Sequence, residues 1–356
     1  MGHRCLASLG ALAVVAVVVT LATVPIAGQA PTAAKSEKAA AVKKWTALHT
    51  AWGDPDLQGT WANNNATPLQ RPKELEGRQF LTDAELVALK KNIAKLFNGD
   101  TDAAFGDSVF LAALHGANDF TSTDTTGNYN HFWLVDRELD NRTSLIVDPA
   151  DGRIPPLTPA AQKHEAERAE YRKIHPYDGP EDIPLSERCV TRGLPTITAG
   201  YNSYYQIVQA PGYAVIQMEM MHDARIIPLD GRPHLDPGLR QWLGDSRGHW
   251  EGETLVVETT NFNDKPQGTS QINVGTSEHL RLTERFTRVG PNTITYEVTV
   301  EDPMTWTRPW TAKIPWKQTT DRLYEFACHE GNEAMPGTLG GARVQEQALA
   351  GAASGK

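Results

Sequence analysis

The chain is short of cysteine and of basic charge, and each shortage narrows what it can be. It has three cysteines in 356 residues, none of them in Cys-x-x-Cys spacing. That leaves no sequence-local zinc module and no dithiol redox motif. His-x-His and His-Glu-x-x-His pairs are missing too, so no local metal-ligand spacing is present. There is no Gly-x-Gly-x-x-Gly run and no Walker loop to cradle a nucleotide phosphate. A net charge of -9 argues against nucleic acid or an anionic membrane as partner, since both need a basic face. Past the N-terminus, no apolar run approaches the length of a membrane span.

What is present begins with an address. His3 and Arg4 precede an apolar stretch from Leu6 to about Val24, and Pro25, Ala27, Gly28 and Ala30 follow. This is the layout of a secretory signal peptide over residues 1–30, with a flexible Ala/Lys-rich linker over 31–50. The apolar stretch is near the minimum for a span, so an uncleaved N-terminal anchor is the alternative. Either way the rest of the chain is expected to be periplasmic or secreted. Cys5 lies within the signal, which leaves Cys189 and Cys328. In an oxidising compartment two such cysteines are expected to pair. The bond would close a loop of about 140 residues and stabilise the fold by roughly 4 kcal/mol in the chain-entropy model. Two buried thiols, or a metal held by Cys328 and His329, are the alternatives.

Residues 51–345 read as one β-rich domain. Thr82 and Glu85 make a capping box ahead of Leu86, Leu89, Ile93 and Leu96, which predicts a helix ending at Asn98-Gly99. Residues 99–130 read as a long loop around the apolar island Val109 to Leu114. Short strands are expected at 131–135 and 144–147. Thr158 and Pro159 start a second, polar helix reaching about Lys173. From Tyr204 onward, runs of about six alternating residues between Gly, Pro and Asn turns predict strands almost throughout, including one at 323–327. The expected fold is mainly β: an antiparallel barrel or lipocalin-like sheet over 200–345, with an irregular N-terminal part (51–200) carrying two helices. Residues 346–356 are Ala/Gly-rich and expected to be a disordered tail.

Ionisable residues crowd the stretch from Glu219 to Glu251. His222, Asp223, Arg225, Asp245, Arg247 and His249 are candidate catalytic residues, with His329 from a second small group. A His with a near-neutral pKa moves protons either way, a carboxylate orients it, and an Arg holds an anion or a developing oxyanion. A strand continuing through Met218 to His222 would point His222 inward with Met218 and Met220, and would make Asp223 and Arg225 a same-face ion pair. Asp245, Ser246 and Arg247 read as a loop before a strand. Tyr201, Tyr204, Glu219 and Trp250 are candidate substrate contacts. No cofactor is called for; a metal held by His222, His249 and His329 is the alternative.

Several stretches carry a resemblance: Pro55 to Trp61, Tyr205 to Arg232 with its His222-Asp223-Ala224-Arg225 core, Trp242 to Gly252, and Cys328 to Asn332. Together they resemble a family of secreted bacterial β-rich proteins. The resemblance implies a bacterial exported protein and brings no activity or catalytic residue with it. The expected function is a cofactor-independent exported hydrolase, lyase or isomerase acting on a small organic or glycosidic substrate by His/carboxylate chemistry. The alternative is a periplasmic carrier with a ligand in the barrel cavity and no catalysis.

Overall fold

Alternation of enclosed and open side chains, clearest over Tyr204–Ala210, Arg281–Gly290, Thr293–Glu301 and Trp310–Thr319, makes one antiparallel sheet. A computed structural model describes residues 45–96, 107–117, 137–197, 199–263, 265 and 275–354. The signal peptide, most of the linker and the strand expected at 131–135 lie outside the described residues. The strands are β1 (Gly59–Ala62), β2 (Ile146–Asp148), β3 (Tyr204–Ala210), β4 (Tyr213–Met218), β5 (Ala224–Pro228), β6 (Asp245–Glu251), β7 (Thr254–Thr260), β8 (Arg281–Gly290), β9 (Thr293–Glu301) and β10 (Trp310–Thr319). Their order is β5-β4-β3-β1-β10-β9-β8-β7-β6, with β2 added alongside β10. Four helices accompany them: α1 (Asp83–Leu96), α2 (Asp107–Leu114), α3 (Pro159–Ile174) and α4 (Ala334–Ser354).

The mainly β, antiparallel architecture is as the alternation predicts, but the sheet does not close into a barrel. β5 and β6 lie side by side without backbone pairing. Gly248 lets them approach. A Cβ there would sit 2.6 Å from a Leu229 methyl and 2.9 Å from an Ile227 methyl. The seam is fastened by a side chain instead. Arg225, on β5, donates to Ser246 Oγ on β6 and Thr259 Oγ1 on β7, both at 3.0 Å, and forks onto the Glu284 carboxylate on β8. Tyr296 donates to the same carboxylate at 2.9 Å.

The inward face of the sheet is filled with aromatics. Trp316 stacks on Tyr205 with ring centroids 4.3 Å apart, and Tyr296 lies 4.8 Å from Trp316. Trp61, Phe286, Trp306 and Trp310 complete this core. Truncating one such residue costs about 3–5 kcal/mol in a well-packed interior.

Outside the sheet, the expectations divide. The Thr82–Glu85 capping box forms, with Thr82 N donating to Glu85 Oε2 at 2.8 Å and Glu85 N to Thr82 Oγ1 at 3.3 Å. Thr158 caps α3, with Pro159 in its first turn. Three assignments are corrected. The island from Val109 to Leu114 is part of α2, whose Phe110 and Ala113 pack with Leu89, Ile93 and Leu96 of α1. Residues 323–327 form no strand. The tail is helical through Ser354, in α4, rather than disordered. Cys189 and Cys328 are joined in a disulfide, with Cα atoms 5.6 Å apart. Among the described residues, no helix is long and apolar enough to cross a membrane.

Candidate functional site

A small, partly open cleft lies at one end of the β3–β4 hairpin. It is lined by Arg192, Gly193, Pro195, Thr196, Tyr201, Asn202, Ser203, Tyr205, Met218, Met220 and Asp223. Two chain segments supply most of the polar wall. The first, 191–196, leaves the disulfide at Cys189. The second, 201–203, is a turn entering β3. β4 supplies Met218 as floor, and the short 3-10 turn Met220–His222 carries the chain on to Asp223 and β5.

Backbone strain gathers here. Among the described residues, five non-glycine residues have positive φ: Cys189, Asn202, Met221, His222 and Asn261. Asn202 lines the cleft, Met221 and His222 lie between lining residues, and Cys189 is three residues from Arg192. Left-handed backbone costs a side-chain-bearing residue of order 1–3 kcal/mol and persists where the surroundings impose it, often at binding sites.

The electrostatics are unbalanced. Asp223 accepts from Thr191 Oγ1 at 2.7 Å and from the Arg192 backbone N–H. Burial raises its pKa, and these hydrogen bonds and the nearby His222 only partly offset that. The Arg192 guanidinium is pulled below its usual range by burial, with only weak compensation from Tyr205 and Tyr201. Among the described residues, no carboxylate supports it. Glu219, behind the cleft, is likewise raised by burial; its carboxylate accepts from the backbone of Tyr324 (3.2 Å) and Tyr204 and from Asn202. Beyond the 200–203 turn, Arg137 Nη1 lies where a Gly200 Cβ would stand, 1.7 Å from that position. Arg137 Nε and Nη1 are buried without a hydrogen-bond partner, and burial alone brings this guanidinium down to about 10.

Of the residues picked from the sequence, Tyr201 and Asp223 line the cleft. His222 borders it but is solvent-exposed. The inward His222 expected from strand alternation does not occur, because β4 ends at Met218 and the chain turns left-handed at Met221 and His222. Asp223 and Arg225 do not pair: Asp223 is bound to Thr191, and Arg225 to Glu284. Arg225 is therefore enclosed in the seam. Glu219 is a buried anchor, and Tyr204 donates to Asp321 at 3.0 Å. Trp250 packs against the core of the sheet.

The remaining candidates sit on other parts of the sheet. Asp245, Ser246 and Arg247 are in β6 rather than a loop. Asp245 receives His234 Nδ1 (2.8 Å), Leu235 N (3.0 Å) and Arg247 Nη1 (2.6 Å), and so clips the 230s loop to β6. His249 is exposed on β6, 3.2 Å from Glu251. His329 is exposed beside the disulfide. Among the described residues, no three His, Cys, Asp or Glu side chains form a group able to hold a metal ion. His222, His249 and His329 thus share no ligand set.

Gly244-Asp245-Ser246-Arg247-Gly248 has the Gly-x-Ser-x-Gly spacing of a nucleophile elbow. An elbow needs an exposed Ser on a strand-to-helix turn. Here Ser246 is buried within a strand, 2.9 Å from Thr259 Oγ1 and bonded by Arg225. Arg192 and Thr196 were not singled out from the sequence. Their neighbourhood, Cys189-Val190-Thr191-Arg192-Gly193-Leu194-Pro195-Thr196, follows a disulfide cysteine and precedes β3, and that was the available signal. No protein-family model matches the chain, and no curated protein matches it.

Proposed function

We propose that the protein is an exported, cofactor-independent enzyme whose acid–base chemistry takes place in this cleft, with Asp223 as the proton-transferring group. One observation carries the reading. Asp223 is a carboxylate with raised proton affinity, in a cleft it shares with a guanidinium that does not neutralise it. A carboxylate in that state is a stronger base than a solvated one and suits proton abstraction from a bound substrate. Tyr201 and Thr196 supply further hydrogen-bonding groups, and Met218 and Met220 an apolar surface. The substrate is a small organic molecule that meets this mixed polar and apolar lining. Export is supported by the signal-like N-terminus and the disulfide. A carrier with its ligand inside the sheet is less well supported, because aromatic packing fills that space.

The test is a turnover screen. The protein and its Asp223→Asn variant are incubated with small esters, lactones and hydroxy acids, and consumption is followed by proton NMR from pH 4 to 8. One member is expected to be consumed by the wild type, at a rate that climbs as pH rises through a value above the ordinary aspartate range. Asp223→Asn should lose at least about a hundredfold in rate, the usual contribution of a positioned base. Equal rates in both proteins, or no consumption of any member, overturns the reading.

A further inference from the structure

Arg192, half-buried in the wall of this cleft, differs from the fully buried arginines in what it touches. Arg225 is forked onto Glu284, and Arg71 is held by Thr143 Oγ1 and the Ala150 carbonyl. Arg288 is bonded to the carbonyls of Asp56 and Pro291 and covered by the rings of Trp45 and Trp61. Arg192 has no such set. Its nearest charged or ionisable influences are the phenols of Tyr205 and Tyr201, and its guanidinium belongs to the wall of an open cleft. Taking a guanidinium partly out of water without an anion is unfavourable, and a carboxylate docking bidentately on it offsets that cost. Arg137, half-buried against Gly200, adds a second positive charge that, among the described residues, no carboxylate offsets.

The lining also has an apolar part. Met218 and Met220 present thioether surface that adapts to a small apolar body. Tyr205 is fixed by its stack on Trp316 and by its hydrogen bond with Thr196, so this wall is rigid. The cleft therefore has one anion-seeking end, one apolar floor and one basic carboxylate, Asp223.

We propose that the ligand of the cleft is a small carboxylic acid anion. Its carboxylate seats on Arg192 between Tyr201 and Tyr205, and its short apolar body lies on Met218 and Met220. The inference rests on the same cleft as the proposed activity but not on the role of Asp223. It assigns Arg192 as the specificity-determining residue, a position that Lys fills less well because an ammonium cannot fork onto a carboxylate.

The experiment is an NMR titration of the full-length chain with propionate and its neutral isostere propionamide at low and high salt. Propionate is expected to bind at least about tenfold more tightly than propionamide, with shifts in the Tyr201, Tyr205 and Met220 resonances, and more weakly at high salt. Arg192→Met should erase the preference, and Arg192→Lys should keep part of it. Equal affinity for the two probes, absence of binding by propionate, or a preference that survives in Arg192→Met overturns the assignment. Asp223→Asn separates the two readings. Tight propionate binding with undiminished turnover in that variant refutes Asp223 as base and leaves the carboxylate site standing. Lost turnover with no propionate preference in the wild type does the reverse.

Discussion

The seam and the cleft are built from the same residue types and have opposite characters. Each holds an arginine, an acidic residue and tyrosine hydroxyls, the arginine fully buried at the seam and half-buried in the cleft. At the seam, Arg225 and Glu284 meet in a forked pair, with Ser246, Thr259 and Tyr296 taking up remaining bonds. Burial opposes the Arg225 charge, but Glu284 and Tyr296 outweigh it and hold the guanidinium above its ordinary range. In the cleft, Arg192 and Asp223 share a wall without neutralising one another, and burial moves each toward its uncharged form. Thr196 links the two regions, since its hydroxyl is hydrogen-bonded to both Tyr205 and Tyr296. Charge that is cancelled internally holds the sheet together. Charge left over is available to something that arrives from outside.

Breaking the seam should have the largest effect. Arg225→Met leaves Glu284 fully buried and alone, and is expected to cost about 3–5 kcal/mol in denaturant unfolding. Adding Glu284→Leu should recover much of that loss, because an apolar pair no longer strands a charge. A single variant as stable as wild type would show that the sheet does not depend on this clasp.

The cleft should respond to pH in the opposite sense to a salt-bridged carboxylate. Burial raises the Asp223 pKa on folding. The stability it contributes is complete below the ordinary aspartate range and declines as pH rises through its folded value. Glu219, also raised, adds to the same trend. In Asp223→Asn the decline should be smaller, so its unfolding midpoint should gain on the wild type between pH 4 and pH 7. A gap that stays constant over this range would remove the pKa argument for the cleft.

The smallest effect belongs to His249. It stands exposed on β6 beside Glu251 and is not among the residues lining the cleft. His249→Ala should leave the melting temperature and any turnover unchanged. A loss of turnover would restore His249 to the active site.

Legibility in the sequence followed the range of the forces. Strands announced themselves because one face of the sheet is buried and the other wet, as in Thr293–Glu301, where every second residue is enclosed. The capping box at Thr82 and Glu85 is a contact over three residues and was equally plain. The disulfide followed from compartment and count. α2 was hidden because eight residues, Asp107–Leu114, cannot be distinguished from a loop with an apolar patch until Leu89 and Ile93 pack on them. α4 was hidden by its Gly and Ala content. Within the site, Asp223 and Tyr201 were visible as chemistry-bearing types, while Arg192 looked like any loop arginine. Its significance lies in a missing partner, and a missing partner is a property of three dimensions. The seam was invisible for a related reason. Asp223 and Arg225 have the spacing of an ion pair, and only the fold shows that Arg225 reaches Glu284, 59 positions further on.

The place of β1 in the sheet has a consequence for how the chain is made. Gly59–Ala62 is inserted between β3 and β10, pairing with Thr319, Gln318 and Lys317 on one side and with Tyr204 to Ile207 on the other. A polypeptide emerging from a ribosome or translocation pore N-terminus first exposes this segment long before its last neighbour exists. Assembly must wait for the end of synthesis, and the waiting segment needs shelter from other growing chains in the meantime.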